Sequence, residues 1–154
     1  MSEANQTAAA AAIAARHGNR PDELLEILHE LQEELGCVAE AALPVIAKAL
    51  NLSRAEVHGV VTFYHDFRRE PAGRHVIKIC AAESCQSMKG RELLASAEKI
   101  LKVKAGGTTV DGKVTLEKVY CLGLCACSPA MLVDNRPVGR VDAKTFKSAV
   151  AELA

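Results

Sequence analysis

The sequence predicts an α+β (α/β) chain: a three-helix bundle followed by a layered domain in which helices flank a mixed sheet. Three observations predict it. Large apolar residues recur at intervals of three or four between Pro21 and Glu70, the period of a helix with one buried face. Beyond Arg74 short apolar runs bounded by turn residues alternate with two further helical stretches. Four of the six cysteines stand in two spaced pairs inside that second region. At 154 residues and 49% hydrophobic content, the chain can fill one ordinary core or two small ones. The expected division is a flexible tail over residues 1–20, the bundle over 21–73 and the layered domain over 74–154.

The tail, Ser2 to Arg16, has helix-forming alanines but few large side chains, so it is expected to fray. From Pro21 the pattern turns amphipathic. Asp22 and Glu23 suit a first turn, Leu24, Leu28, Leu31 and Leu35 share a face, and Gly36 can end the helix. A second helix runs from about Ala41 to Leu50 with Pro44 near its start. Ser53 and Glu56 form the two ends of a capping box for a third, with Leu52 and Val57 at the staple positions. Val57, Val60, Val61 and Tyr64 continue it until Pro71 and Gly73 break the run.

In the second region His75 to Cys80 reads as a strand. Met88 to Leu101 reads as a helix turning Leu93, Leu94, Ala97, Ile100 and Leu101 inward. Gly106 and Gly107 mark a loop, Asp111 and Gly112 a hairpin turn, and Val114 to Tyr120 a strand. Cys121 to Pro129 must then be a loop. Met131 to Val133 and Val138 to Val141 form a second hairpin across Asp134 to Pro137. Asp142 caps a last helix presenting Phe146, Val150 and Leu153.

Charge excludes some functions. Lysine plus arginine and aspartate plus glutamate number 19 each, leaving no basic field for nucleic acid and no polybasic arm for a membrane. No apolar run approaches the ~20 residues of a membrane span. The opening residues lack the basic start and apolar core of an export signal, so the cytoplasm is the expected compartment. There, six cysteines point to metal binding or redox chemistry more than to a disulfide scaffold.

Each pair, Cys80 with Cys85 and Cys121 with Cys125, begins at the carboxyl end of an expected strand. Neighbouring strand ends can gather four thiolates, and irregular loops let backbone N–H groups point at sulfur. Spacing alone leaves [2Fe-2S] and structural zinc both open, since four-cysteine zinc sites tolerate similar gaps. A zinc scaffold would be redox-silent; a thiol regulator centred on Cys125 and Cys127 would hold no metal. No CxxC motif, dinucleotide fingerprint, phosphate loop or serine triad is present, so hydride transfer and catalysis are expected of other subunits.

Cys80 to Cys85, reading Cys-Ala-Ala-Glu-Ser-Cys, and Cys121 to Cys125, reading Cys-Leu-Gly-Leu-Cys and leading to Pro129, resemble the thioredoxin-like [2Fe-2S] ferredoxins. The likeness is to the small iron-sulfur subunits of NADH dehydrogenases and related NAD(H)-linked complexes. Gly59 to Tyr64, Gly-Val-Val-Thr-Phe-Tyr, extends it back into the helices. The resemblance implies a thioredoxin-like sheet and one [2Fe-2S] cluster held by Cys80, Cys85, Cys121 and Cys125. It also implies a flavoprotein partner that binds FMN and NAD(H) and carries further iron-sulfur centres, beside a larger catalytic subunit. Among such subunits the chain looks similar to the gamma subunit of soluble NAD-dependent formate dehydrogenases, with NADH:quinone oxidoreductase and bidirectional hydrogenase subunits as alternatives.

Cys127 is expected to be a small buried neighbour of the loop, and Cys37 a packed thiol. His58, His65 and His75 lie outside any Cys-x-His motif and are expected to serve packing or the surface. Phe63, Tyr64 and Phe67 are expected to pack in the core. Ala81 to Ser84 and Leu122 to Leu124 are expected to set hydrogen bonding around the sulfurs, with Lys78 and Lys89 adding charge.

Overall fold

The computed structural model describes residues 3–153, folded as seven helices and a five-stranded mixed sheet. The chain divides between Pro71 and Ala72 into two compact units.

The first unit holds four helices, α1 (Glu3–Arg16), α2 (Leu24–Leu35), α3 (Leu43–Leu50) and α4 (Arg54–Phe63). Where a frayed tail was expected, residues 3–16 form helix α1, and the first two residues of that expectation lie outside the described ones. Ala10, Ile13 and Ala14 of α1 are fully buried and join the same core as Ile27, Leu28, Leu31, Ile46 and Leu50. Spacing at i, i+3 and i+4 puts all three on one face, where the alanines let the helix approach closely and Ile13 supplies the bulk. Arg16 and His17, at its end, bind Glu30 of α2.

The other boundaries follow local chemistry. A 3₁₀ turn, Pro21–Glu23, leads into α2, which ends at Gly36 with φ 78°, a left-handed backbone that glycine adopts freely. The capping box forms on both sides: Ser53 Oγ accepts from Glu56 N–H at 3.2 Å, and the Glu56 carboxylate accepts from Ser53 N–H at 2.8 Å. The expectation of core aromatics holds only for Phe67, which is 6% exposed; Phe63 and Tyr64 are 73% and 44% exposed. Helix α4 closes at Phe63, and the chain leaves it in extended geometry at Tyr64, so both rings turn outward.

The second unit is built on β1 (His75–Cys80), β2 (Gly107–Thr108), β3 (Val114–Val119), β4 (Met131–Val133) and β5 (Arg136–Val138), in the order β2-β3-β1-β4-β5. β1 and β3 run parallel, and the other neighbours are antiparallel. Pairing of Ile77 with Leu116 and Val133, and of Ile79 with Met131, aligns these buried side chains on one face. Leu93 and Ala97 of α6 (Gly90–Leu101) and Phe146 of α7 (Ala143–Ala151) join them in the core. Asp142 caps α7 by accepting from Thr145 N–H at 2.7 Å.

Three expectations change here. Residues Glu83–Ser87 form a short helix, α5, where a loop was expected. The second hairpin turns on two residues, Asp134 and Asn135, both at positive φ, so its return strand starts at Arg136 and ends at Val138. Ile100 is 36% exposed and does not face inward; Leu94 and Leu101, partly buried, do pack on the core.

Candidate functional site

The parallel register makes the site. Cys80 ends β1 opposite Val119 at the end of β3, so both strands finish at the same edge of the sheet. The chain leaving β3 must next enter β4, on the other side of β1. Residues 120–130 therefore cross over the end of β1 and carry Cys121 and Cys125 to Cys80. Two bonds tie this crossing to the strand: Ala81 N–H to the Val119 carbonyl at 2.8 Å, and Cys80 N–H to the Ala130 carbonyl at 3.0 Å. Cys121, at φ 67°, and Gly123, at φ 74°, supply the sharp changes of direction.

Cys85 arrives by a different route, from α5 and not from an irregular loop. Gly90 explains how: a Cβ there would lie 2.6 Å from the Cys85 carbonyl oxygen, so only glycine lets the start of α6 press against α5. Cys80, Cys85 and Ala130 form a small buried cluster with Ala82, Leu122 and Leu124 against it.

The thiols form two unlike pairs. Cys80 and Cys85 are 3% and 2% exposed, whereas Cys121 and Cys125 face solvent with their sulfurs 3.9 Å apart. Burial opposes ionisation of Cys80, but N–H groups of Ala82, Cys121 and Leu122 and the Cys85 thiol aim at its sulfur and lower its pKa. Burial raises that of Cys85, opposed by its side-chain hydrogen bond with Ser128. The thiol of Cys121 raises that of Cys125, chiefly through their mutual hydrogen bond.

Among the described residues no three or more His, Cys, Asp or Glu side chains are grouped as a ready metal site. The donor set nonetheless fits a thiolate-held group. Two thiolates on one tetrahedral metal, with bonds of about 2.3 Å, lie roughly 3.8 Å apart, close to the Cys121–Cys125 separation. Several N–H donors converging on one sulfur suit a charged thiolate better than a neutral thiol.

The remaining candidates separate clearly. Cys127 is half-buried, its Cβ so near Gly139 that a Cβ on the glycine would sit 2.6 Å away, and its carbonyl accepts from Arg140 N–H at 2.6 Å. It packs on the loop after β5. Cys37 is a buried thiol of the helical unit, and burial raises its pKa. Lys78 pairs with Glu117 at 3.8 Å across β1 and β3, so its charge is met locally. Lys89 lines a cleft with Met88, Ser128 and Arg140. His75 binds Asp134 at 2.6 Å. Sequence reasoning missed Ser128, whose hydroxyl lies 3.7 Å from Cys85 Sγ. Its place just before Pro129 was the only signal, and that marks a turn, not a ligand neighbour.

Fold and site together define a cysteine-centred module on a layered α/β frame. The model of the thioredoxin-like [2Fe-2S] ferredoxin family matches residues 10–154, and the chain belongs to that family, whose cofactor is a [2Fe-2S] cluster. It is 36% identical over 117 residues to the E subunit of NADH-quinone oxidoreductase from Pseudomonas aeruginosa, covering 76% of this chain and 70% of the relative. To the E subunit from Escherichia coli strain K12 it is 39% identical over 111 residues, covering 72% and 67%. The second E subunit of Rhizobium meliloti is 36% identical over 132 residues, covering 86% and 79%. In fold it is similar to a chain of an NAD+-reducing [NiFe]-hydrogenase crystal structure, with TM-score 0.71 and 24% identity. That match covers 85% of this chain and 22% of the other. No helix among the described residues is long and apolar enough to cross a membrane.

Proposed function

We propose that this chain is a cytoplasmic electron-transfer subunit holding one [2Fe-2S] cluster on Cys80, Cys85, Cys121 and Cys125. Its partner would be a flavoprotein subunit binding FMN and NAD(H) within a larger oxidoreductase. The observation that carries this reading is the crossing of residues 120–130 over the end of β1, which brings Cys121 and Cys125 to the sheet edge where Cys80 ends its strand. When bound, the cluster supplies one-electron exchange beside a flavin that handles the two-electron hydride chemistry of NAD.

The chain's own residues have separable tasks. Cys80 and Cys85 anchor the inner side in a dry apolar cluster with Leu122 and Leu124, limiting water at the sulfurs. N–H groups of Ala82, Cys121 and Leu122 stabilise charge on Cys80. Cys121 and Cys125, with exposed Tyr120 beside them, offer the accessible side to an electron partner.

Names of the relatives support an NADH:quinone oxidoreductase type of complex. The formate dehydrogenase reading rests on resemblance of the short chain and overall sequence, and that of a bidirectional hydrogenase on likeness of fold. Anaerobic absorption and EPR spectra before and after dithionite, with iron and zinc measured on the same sample, test the cluster. Two irons per chain and a reduced S = 1/2 signal are expected; one zinc and no colour after reconstitution would leave a structural zinc module. Co-purification of a flavoprotein whose reduction by NADH or by formate reduces this chain identifies the complex.

A further inference from the structure

Two serine hydroxyls join the inner thiol pair to the outer one. Ser128, 8% exposed, places its Oγ 3.7 Å from Cys85 Sγ and 2.8 Å from the carbonyl of Cys125. Ser84, on α5, places its hydroxyl 2.8 Å from that of Ser128 and 3.2 Å from the same Cys125 carbonyl.

Counting protons gives the arrangement a direction. At these distances the Cys85 thiol donates to Ser128, and Ser128 donates to the Cys125 carbonyl. Each hydroxyl has one proton to give. A metal-bound thiolate has none, so a Cys85 that serves as a ligand turns from donor to acceptor. Ser128 can then donate to sulfur only by giving up the Cys125 carbonyl. Left alone, that carbonyl would lose a bond next to a ligand cysteine, at a cost typical of an unmet polar group. Ser84 removes the conflict, because its hydroxyl already reaches the same oxygen.

We propose that Ser128 is a positioning residue that hydrogen-bonds the Cys85 sulfur of the loaded cluster and raises its reduction potential, and that Ser84 frees it to do so by taking over the Cys125 carbonyl. The inference rests on the ligand set proposed above. A donor at sulfur withdraws charge and favours the reduced, more negative state, which is why hydrogen bonds to ligand sulfurs move potentials.

Potentiometric titrations followed by EPR, with iron counted per chain, test this on the full-length reconstituted protein and its Ser128→Ala, Ser128→Thr, Ser84→Ala and double-alanine variants. Ser128→Ala should move the midpoint negative by on the order of tenfold in the reduction equilibrium, about 59 mV for one electron. Ser128→Thr, which keeps the hydroxyl, should restore it. Ser84→Ala should shift it the same way by less, and the double variant should match Ser128→Ala, since Ser84 acts through Ser128. An unchanged potential in Ser128→Ala with two irons present overturns the proposal, as does a double variant equal to the sum of the single shifts. If Ser128→Ala fails to hold iron, the unaltered potential of Ser84→Ala is the overturning result. An unsubstituted chain without two irons overturns the ligand reading, and this inference with it.

Discussion

The helical unit and the sheet unit are held together by different means. In the first, Ile13, Ile27, Leu28, Leu31, Leu43, Ile46 and Leu50 are all buried in one apolar cluster that also takes in Val57 and Val61 of α4. In the second, the apolar core under the sheet stops short of the strand ends, and a separate cluster of Cys80, Cys85 and Ala130 takes over. The helical unit depends on side-chain packing throughout. The sheet unit gives one corner to thiols, which bury little area, and secures it by backbone hydrogen bonds and, under the ligand set proposed above, by metal–sulfur bonds.

The sharpest test of that contrast is removal of a thiol. Cys121→Ser or Cys85→Ser should abolish most of the visible cluster absorbance and lower amide protection in β1 and β3, while hydrogen exchange in α2 and α3 stays unchanged. Next comes Leu28→Ala, which leaves a cavity in the helical core. It should cost roughly 2–5 kcal/mol in denaturant unfolding followed by α2 and α3, with cluster absorbance retained. Gly90→Ala forces a Cβ to within 2.6 Å of the Cys85 carbonyl, so it should cost on the order of 1–3 kcal/mol and reduce the iron held after reconstitution.

Cap removal should affect the units alike. Ser53→Ala and Asp142→Ala each remove an N-cap, for about 1 kcal/mol, read as a shift in thermal midpoint of the unit concerned.

The smallest effects are those of pH. His17, held by Glu30 and Glu23, has its pKa raised in the folded state, so its contribution is full below its ordinary value and fades as pH rises through the folded one. Asp134 has its pKa lowered, burial being outweighed by His75 and the Val76 N–H, so its contribution holds above the ordinary carboxyl value and fades as acid is added. Residue-resolved exchange should show His17→Gln flattening the loss in α1 and α2 as pH rises past the ordinary histidine value, and Asp134→Asn flattening the acid loss in β1 and β4.

Much of the fold is legible locally because neighbouring residues settle it. Ser53 with Glu56 announces α4, Asp142 announces α7, Gly36 ends α2, and the apolar run from Val76 marks β1. What escaped such reading depends on distant partners. Alanines of α1 look weak alone and become useful only against α2 and α3. Phe63 and Tyr64 look like core residues until the end of α4 turns them outward. The α5 turn has serines where a helix prefers other residues, and it forms where Gly90 lets α6 close against it.

Capping, periodicity and turn chemistry act over a few residues, so the order of residues was enough to mark most helices and strands and to set two cysteine pairs where strands end. Long-range packing then determined that the pairs come to the same edge of the sheet, that one is buried and the other open, and that Ser84 and Ser128 link Cys85 to the Cys125 carbonyl. Those outcomes follow from the parallel register of β1 and β3 and from the crossing to β4, which bring together residues some 40 positions apart in the chain.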